Sequence, residues 1–383
     1  MKISIPRELT PHERRVAITP DSVQRLITRG FEVLVQRGAG AAAHHRDADY
    51  QAAGARLESD VATLWAADLI VKIRPPADAE IGMARAGATL ISLLDPLGDP
   101  DRVAALAARG VTAIAADLVP RSSLAQMMDV LTSQASIAGY RAVLLAAEAS
   151  PRLFPMMMTA AGTISPARVL VLGAGVAGLQ AIATARRLGA IVEAFDVRAA
   201  AREQVESLGA RFVEVPSTED GSGAGGYARE VSDDYKRKQA ELVGTCLARA
   251  DACITTALIP GRPAPVLITA AQVAAMRPGA VIVDLAAERG GNCELTRPGQ
   301  RHHVAPGVAI IGDADLPAQV AVHASQTYAR NMEHLVAHVV RDGALVLDAS
   351  DPIVAAMLVC RDGEIVHPKV AAASAAVRKE IAA

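Results

Sequence analysis

Three glycines in the run Arg168-Val-Leu-Val-Leu-Gly173-Ala-Gly175-Val-Ala-Gly178-Leu-Gln have the spacing that binds a dinucleotide pyrophosphate. A segment of alternating Val and Leu precedes them and an Ala-rich segment follows, so the run reads as strand, tight turn and helix start. Gly173 permits the turn, Gly175 lets the backbone approach the phosphates, and Gly178 lets the helix pack close to the strand. Phosphate charge then rests on N–H groups at the helix N-terminus, and no lysine is needed. A second strand segment, Val192 to Phe195, leads to Asp196, 18 positions past Gly178. A carboxylate there accepts hydrogen bonds from the adenosine ribose hydroxyls and repels a 2′-phosphate, which favours NAD over NADP. Arg198 pulls the other way, because a nearby Arg can accommodate a 2′-phosphate. The plain alternative is a glycine turn in an α/β protein that binds no dinucleotide; the continuous strand, turn, helix and acidic second strand argue against it.

A second polar cluster, Arg121, Gln126, Asp129 and Thr132, precedes a long apolar helical segment. By residue type alone it is as well read as a helix-start cluster in which Asp129 pairs with Arg121. Cys246, Cys253, Cys293 and Cys360 show no CxxC pairing and no histidine at zinc-ligand spacing, so they read as reduced structural thiols. The pairs His44-His45 and His302-His303 read as surface loop residues, since neighbours on a strand point to opposite faces and cannot share a metal. No metal is expected.

These residues need elements to hold them. At 383 residues the chain is long enough for two domains, and with aromatics at 3% their cores must be built from Ala, Val, Leu and Ile. The expected fold class is α/β, with two Rossmann-like doubly wound parallel-sheet domains, the first discontinuous. Short apolar runs alternate with helical segments: strands are expected at Ile3–Ile5, Glu32–Val35, Leu69–Ile73, Thr89–Leu93 and Thr112–Ala115, with helices beginning near Pro20, Ser59 and Asp99. A second set has strands Val169–Leu172, Val192–Phe195, Arg211–Val215, Ala252–Thr256 and Ala280–Asp284. A helix-period segment, Pro317 to Val340, returns the chain to the first domain. The expected domains are therefore 1–131 with 320–383, and 132–319, the latter holding the cofactor. Met156 to Ile164 has apolar arms around Ala161-Gly162 and is either a projecting hairpin that needs a partner or a Met-rich core loop. Pro216 to Arg229, rich in Gly, Ser, Thr and acids, is expected to be a mobile loop.

A net charge of −2, without a Lys/Arg block interleaved with aromatics, argues against a nucleic-acid partner. The N-terminal Met-Lys-Ile-Ser-Ile-Pro lacks the apolar core of a signal peptide, and no stretch is long and apolar enough to span a bilayer, so a cytoplasmic location is expected.

From the N-terminal KISIPRE…ERRVAITP to the C-terminal RDGEIVHP the sequence resembles the NAD(H)-binding component of proton-translocating nicotinamide nucleotide transhydrogenases, a family related to the alanine dehydrogenases. The resemblance is carried by Arg121-Ser-Ser-Leu-Ala-Gln126-Met-Met-Asp129-Val-Leu-Thr132-Ser-Gln134 with Ile137-Ala-Gly-Tyr140-Arg141. Met156-Met-Met-Thr-Ala-Ala-Gly-Thr, Ala224-Gly-Gly-Tyr227-Ala, Ile254-Thr-Thr-Ala-Leu-Ile-Pro-Gly261 and Asp284-Leu-Ala…Gly290-Gly-Asn-Cys add to it. It implies that NADH held on this chain gives hydride directly to NADP+ held on a separate component, while a membrane-embedded component couples the step to proton movement. It also implies a homodimer, peripheral on the inner membrane face through its partner subunits. Arg121, Asp129 and Thr132 would hold the dihydronicotinamide amide and ribose, with Thr132 standing where the family usually has Ser. Gln126 would face the incoming NADP(H), and Tyr227 would ride a mobile loop over bound nucleotide. Val176, Val197, Arg198, Gly226, Ala257 and Leu258 complete the implied cofactor contacts. Hydride transfer between nicotinamides moves no proton, which agrees with the lack of an acid–base pair near the fingerprint.

Two other functions compete. Arg15 and Lys72 stand where alanine dehydrogenases bind substrate carboxylate and amine. However, Leu94-Asp95-Pro96-Leu97 has no His for acid–base work, and Asp284-Leu-Ala-Ala-Glu288 departs from that pattern. On the transhydrogenase reading Arg15 and Lys72 become structural ion-pair residues or inherited remnants. A non-catalytic NAD-binding protein would keep Gly173 to Asp196 and have no need of the Arg121 to Gln134 loop.

Overall fold

A computed structural model of the chain describes residues 1–216, 221, 232–259 and 261–382, with side chains to residue 377. The chain divides into two compact units, Met1–Gln134 with Ala318–Ala383, and Ala135–Pro317. The division falls inside the long helix Val130–Ala149.

The first unit is built on β1 (Lys2–Ile5), β2 (Glu32–Gln36), β3 (Arg56–Glu58), β4 (Leu69–Val71), β5 (Thr89–Ser92) and β6 (Thr112–Ala115). The second contains β7 (Met157–Thr159), β8 (Gly162–Ile164), β9 (Arg168–Leu172), β10 (Ile191–Phe195) and β11 (Arg211–Phe212). It continues with β12 (Ala252–Thr255), β13 (Val281–Asp284), β14 (Arg301–Val304) and β15 (Val308–Ile311). Back in the first unit come β16 (Val340–Arg341), β17 (Ala344–Leu345), β18 (Leu358–Arg361) and β19 (Glu364–Ile365).

The first sheet runs β19-β18-β6-β5-β4-β1-β2-β3, and the second β11-β10-β9-β12-β13-β15-β14. Six strands of each are parallel. The parallel strands of each sheet have the same order, third-second-first-fourth-fifth-sixth, the doubly wound Rossmann arrangement. Its switch point lies between β1 and β4 in the first sheet and between β9 and β12 in the second. Antiparallel strands close one edge: β18 and β19 beside β6, and β14 beside β15.

Strand periodicity sends alternate residues to opposite faces, and both faces are covered. Val169 and Val171 enter one core with Val192 and Ala194, whereas Leu170 and Leu172 enter another with Val243 and Ile282. In the first sheet Leu69, Val71 and Ile91 face one core, and Ile70 and Leu90 the other. Continuous apolar runs in short strands follow from this two-sided burial, and each such Val or Leu contributes about 1.5–3 kcal/mol by leaving water. Among the described residues no helix is long and apolar enough to cross a membrane.

Met157–Ile164 forms the hairpin β7–β8, with Met156, Met157, Met158 and Ile164 exposed; of the two readings, the projecting hairpin is the one the structure has. His302 and His303 correct the surface-loop expectation: they lie in β14, where the antiparallel edge pairing makes a strand of a polar sequence, and His302 Nε2 meets the Leu295 carbonyl at 3.1 Å. The four cysteines are free and buried, and burial pushes their thiols up, that of Cys360 to about 12.

Candidate functional site

The glycine turn lies at the carboxyl end of β9, at the switch point of the second sheet. Gly173 sits at φ +97°, a backbone region that an L side chain rarely enters, and a Cβ there would lie 2.6 Å from Thr256 Oγ1. Gly178, in the first turn of the helix Val176–Arg187, has the Gly173 carbonyl 1.8 Å from where its Cβ would be, so any side chain would force helix and turn apart. Gly175 differs: nothing lies within 4 Å of its ideal Cβ, and it precedes the helix. A backbone cradle with open space in front of a helix N-terminus is what a pyrophosphate fits. Val176 begins that helix.

Asp196 follows β10 and is buried. Its Oδ2 accepts from the Ala174 N–H inside the turn at 2.7 Å and from Arg198 Nη2 at 2.7 Å. Its Oδ1 accepts from the Arg198 N–H at 2.9 Å and from Arg198 Nε at 2.8 Å. The carboxylate hydrogen-bonded to Arg198 raises the guanidinium pKa. Val197, half-buried, accepts at its carbonyl from the Gly221 N–H at 2.9 Å.

On the far side of the switch point Thr256 donates its hydroxyl to the Gly173 carbonyl at 3.0 Å. Ala257 is half-buried and Leu258 exposed. Ala257 is held by Asn292: its N–H donates to Asn292 Oδ1 at 2.9 Å, and Asn292 Nδ2 donates to its carbonyl at 2.8 Å. Asn292 is fixed in turn by Asp284, buried at the carboxyl end of β13, which accepts from the N–H groups of Ala286, Asn292 and Cys293 and the hydroxyls of Thr255 and Thr296. Thr256, Asn292 and Asp284 were not among the expected site residues. The signal for Asp284 was present as a carboxylate closing an apolar strand segment.

In the first unit Arg121, Gln126 and Thr132 are exposed and Asp129 half-buried. Gln126 opens the 3-10 turn Gln126–Met128. Asp129 caps the helix Val130–Ala149: its carboxylate accepts from the Thr132 N–H at 2.9 Å and the Thr132 hydroxyl at 2.6 Å. Gly226 and Tyr227 lie outside the described residues.

The switch point of the first sheet has no glycine turn. After β1 the chain reads Pro6-Arg7-Glu8, and the next helix begins only at Pro20. Its groups satisfy one another. Lys72 Nζ lies 2.9 Å from Glu80 and 3.7 Å from Glu8, over the Trp65 ring. Glu8 also accepts from the N–H groups of Ile73 and Arg74, while burial pushes its carboxyl above the ordinary range. Arg15 grips Glu13 at 2.6 Å and Gln134 at 2.8 Å, and Glu13 also binds Arg74.

Models described as "Alanine dehydrogenase/PNT, N-terminal domain" and "Alanine dehydrogenase/PNT, C-terminal domain" match residues 4–138 and 142–368. The chain is 50% identical to the first portion of NAD(P) transhydrogenase subunit alpha of Rhodospirillum rubrum, a separate chain there, over 96% of its own length and 98% of that protein's. The chain belongs to the alanine dehydrogenase/PNT family. A solved transhydrogenase structure from Sinorhizobium meliloti matches with a TM-score of 0.85 at 43% identity, covering 96% of this chain and 99% of that one. A solved L-alanine dehydrogenase matches with a TM-score of 0.84 at 27% identity, covering 98% and 100%. Both branches of the alanine dehydrogenase/PNT family thus share these two Rossmann-like folds, and the transhydrogenase alpha branch shares more of the sequence.

Proposed function

We propose that this chain is the NAD(H)-binding component of a proton-translocating transhydrogenase, handing hydride from NADH to NADP+ held on a partner component. The observation that carries the reading is the Gly173–Gly178 cradle with Asp196 beside it at the switch point of the second sheet. NAD(H), when bound, supplies the hydride. The chain's own contribution is positional: backbone N–H groups after Gly175 receive the pyrophosphate, Asp196 and Val197 face the adenosine ribose, and Ala257 and Leu258 border the path toward the nicotinamide. Arg121, Asp129 and Thr132 hold the carboxamide and ribose, and Gln126 faces the incoming NADP(H). The exposed Met156–Met158 and Ile164 hairpin supports a homodimer, because an apolar arm of this kind needs a partner surface. Membrane attachment comes through the partner subunits.

The alanine dehydrogenase alternative loses support at the first sheet. Arg15 and Lys72 are engaged by Glu13, Gln134, Glu80 and Glu8, and 94–97 supplies no imidazole for proton transfer. The purified chain should bind NADH at least about tenfold more tightly than NADPH by titration, the scale of one hydrogen bond to a charged group, and should not consume NADH with pyruvate and ammonia. Equal affinities would sink the Asp196 argument, and turnover with pyruvate would restore the amino acid dehydrogenase reading.

A further inference from the structure

Asn331 sits on the helix Ala321–Val339, 204 residues from Met127, yet it touches the loop that carries Gln126. Its side chain is buried, and its two polar ends serve two different elements. Nδ2 donates to the Met127 carbonyl at 2.8 Å, within the Gln126–Met128 turn. Oδ1 accepts from the Ser133 hydroxyl at 2.7 Å, in the first turn of the helix Val130–Ala149. The amide can be placed only this way round, because the carbonyl of Met127 has no proton to give and must face the NH2 group.

Asn331 extends a stripe at three-residue spacing on its helix, one face of the cylinder. Ser325 Oγ accepts from the Val16 N–H at 3.0 Å, and Tyr328 OH donates to the Lys72 carbonyl at 2.8 Å. The helix therefore reads the backbone of three separate segments, of which the Gln126 loop is the third. That loop has little apolar burial to fix it. Leu124 is 78% and Met127 60% exposed, Gln126 is also exposed, and Ala125 and Met128 supply its buried anchors.

We infer that Asn331 is a positioning residue for Gln126: it ties the Gln126–Met128 turn to the helix start that carries Asp129 and Thr132, so that Gln126 is presented in one place. This rests on the assignment of Gln126 to the gap between the two nicotinamides. Asn331→Asp keeps the acceptor for Ser133 and replaces the donor facing Met127 with a second acceptor, so it breaks one link and spares the other.

The test uses the full chain, titrated with NADH and then assembled with the NADP(H)-binding component for single-turnover transfer, with amide hydrogen exchange of residues 124–129 measured alongside. Asn331→Asp should leave NADH affinity within about twofold, slow transfer on the order of tenfold to a hundredfold as a reacting group drifts by about 1 Å, and speed exchange at 124–129. Combined with Gln126→Asn it should add little to the loss from Gln126→Asn alone, since both act on one gap. Asn331→Gln, with both polar ends on a longer stem, should show the same split at smaller size if the carboxylate variant does not fold. Parallel loss of affinity and rate, fully additive losses in the double variant, or normal transfer despite faster exchange would each overturn the inference. If Gln126→Asn alone transfers normally, the Gln126 assignment fails, and unchanged exchange in Asn331→Asp separately removes the link to Met127.

Discussion

Asp196 shows how a residue chosen for its chemistry is conditioned by its neighbour. Its two oxygens accept four hydrogen bonds, three of them from Arg198, which is the whole acceptor capacity of a carboxylate. A ribose diol finds an acceptor there only if the Arg198 guanidinium lets go. The same pairing neutralises a cation that would otherwise attract a 2′-phosphate. Asp196→Ala should therefore do two things at once. NADH affinity should fall by about tenfold to a hundredfold, the worth of hydrogen bonds to a charged group, and NADPH affinity should rise as Arg198 is freed; parallel titrations read both, and a fall for both nucleotides alike would contradict the neutralisation argument. The glycine turn and Asp196 were legible in the sequence because their meaning is local: a turn, a close approach, a charge at the next strand's end. Asn292, Asp284 and Asn331 were not legible as site residues, because what they hold lies 35, 12 or 204 residues away and is chosen by the fold.

Elements were legible where period and punctuation agreed. The parallel strands of both sheets follow their apolar runs closely, since burial on both faces leaves no room for polar residues. The antiparallel edges were harder. Arg301–Val304 becomes a strand by pairing with Val308–Ile311, not through any apolar pattern of its own. The hairpins β16–β17 and β18–β19 are set by Asp342-Gly343 and Asp362-Gly363, all four at positive φ, a turn signal that short flanking runs did not reinforce. Gly139 explains a glycine inside an otherwise favourable helix. A Cβ there would lie 2.0 Å from the Ala177 carbonyl, so the helix Val130–Ala149 runs against the start of the helix that follows the glycine turn. Gly139→Ala should lower stability by about 1–3 kcal/mol, despite the better helix propensity of Ala, because the backbone beside it must move. It should also weaken NADH binding by shifting Ala177 at the end of the cradle. Denaturant unfolding with an NADH titration checks both, and a stabilised variant with normal binding would show that the approach is loose.

The whole molecule repeats one strand order twice and gives the dinucleotide turn to one copy. In the second sheet the first strand ends in the Gly173 turn with a helix behind it. In the first sheet the equivalent strand ends in Pro6-Arg7-Glu8, and Glu8, Lys72, Glu80, Glu13, Arg74 and Arg15 close the switch point with their own charges. One dinucleotide turn per chain, with no acid–base pair beside it among the described residues, fits a protein whose reaction is completed by another. The central claim is direct transfer from NADH on this chain to NADP+ on the partner. Its most direct test is a single turnover with NADH deuterated at the transferred position, mixed with the NADP+-loaded partner component in ordinary water. Direct transfer requires NADPH that carries the deuterium, with none exchanged to solvent, and Gln126→Asn slowing the step on the order of a hundredfold at unchanged NADH affinity; NADPH carrying solvent hydrogen, or no transfer while this chain alone oxidises NADH with pyruvate and ammonia, would contradict it.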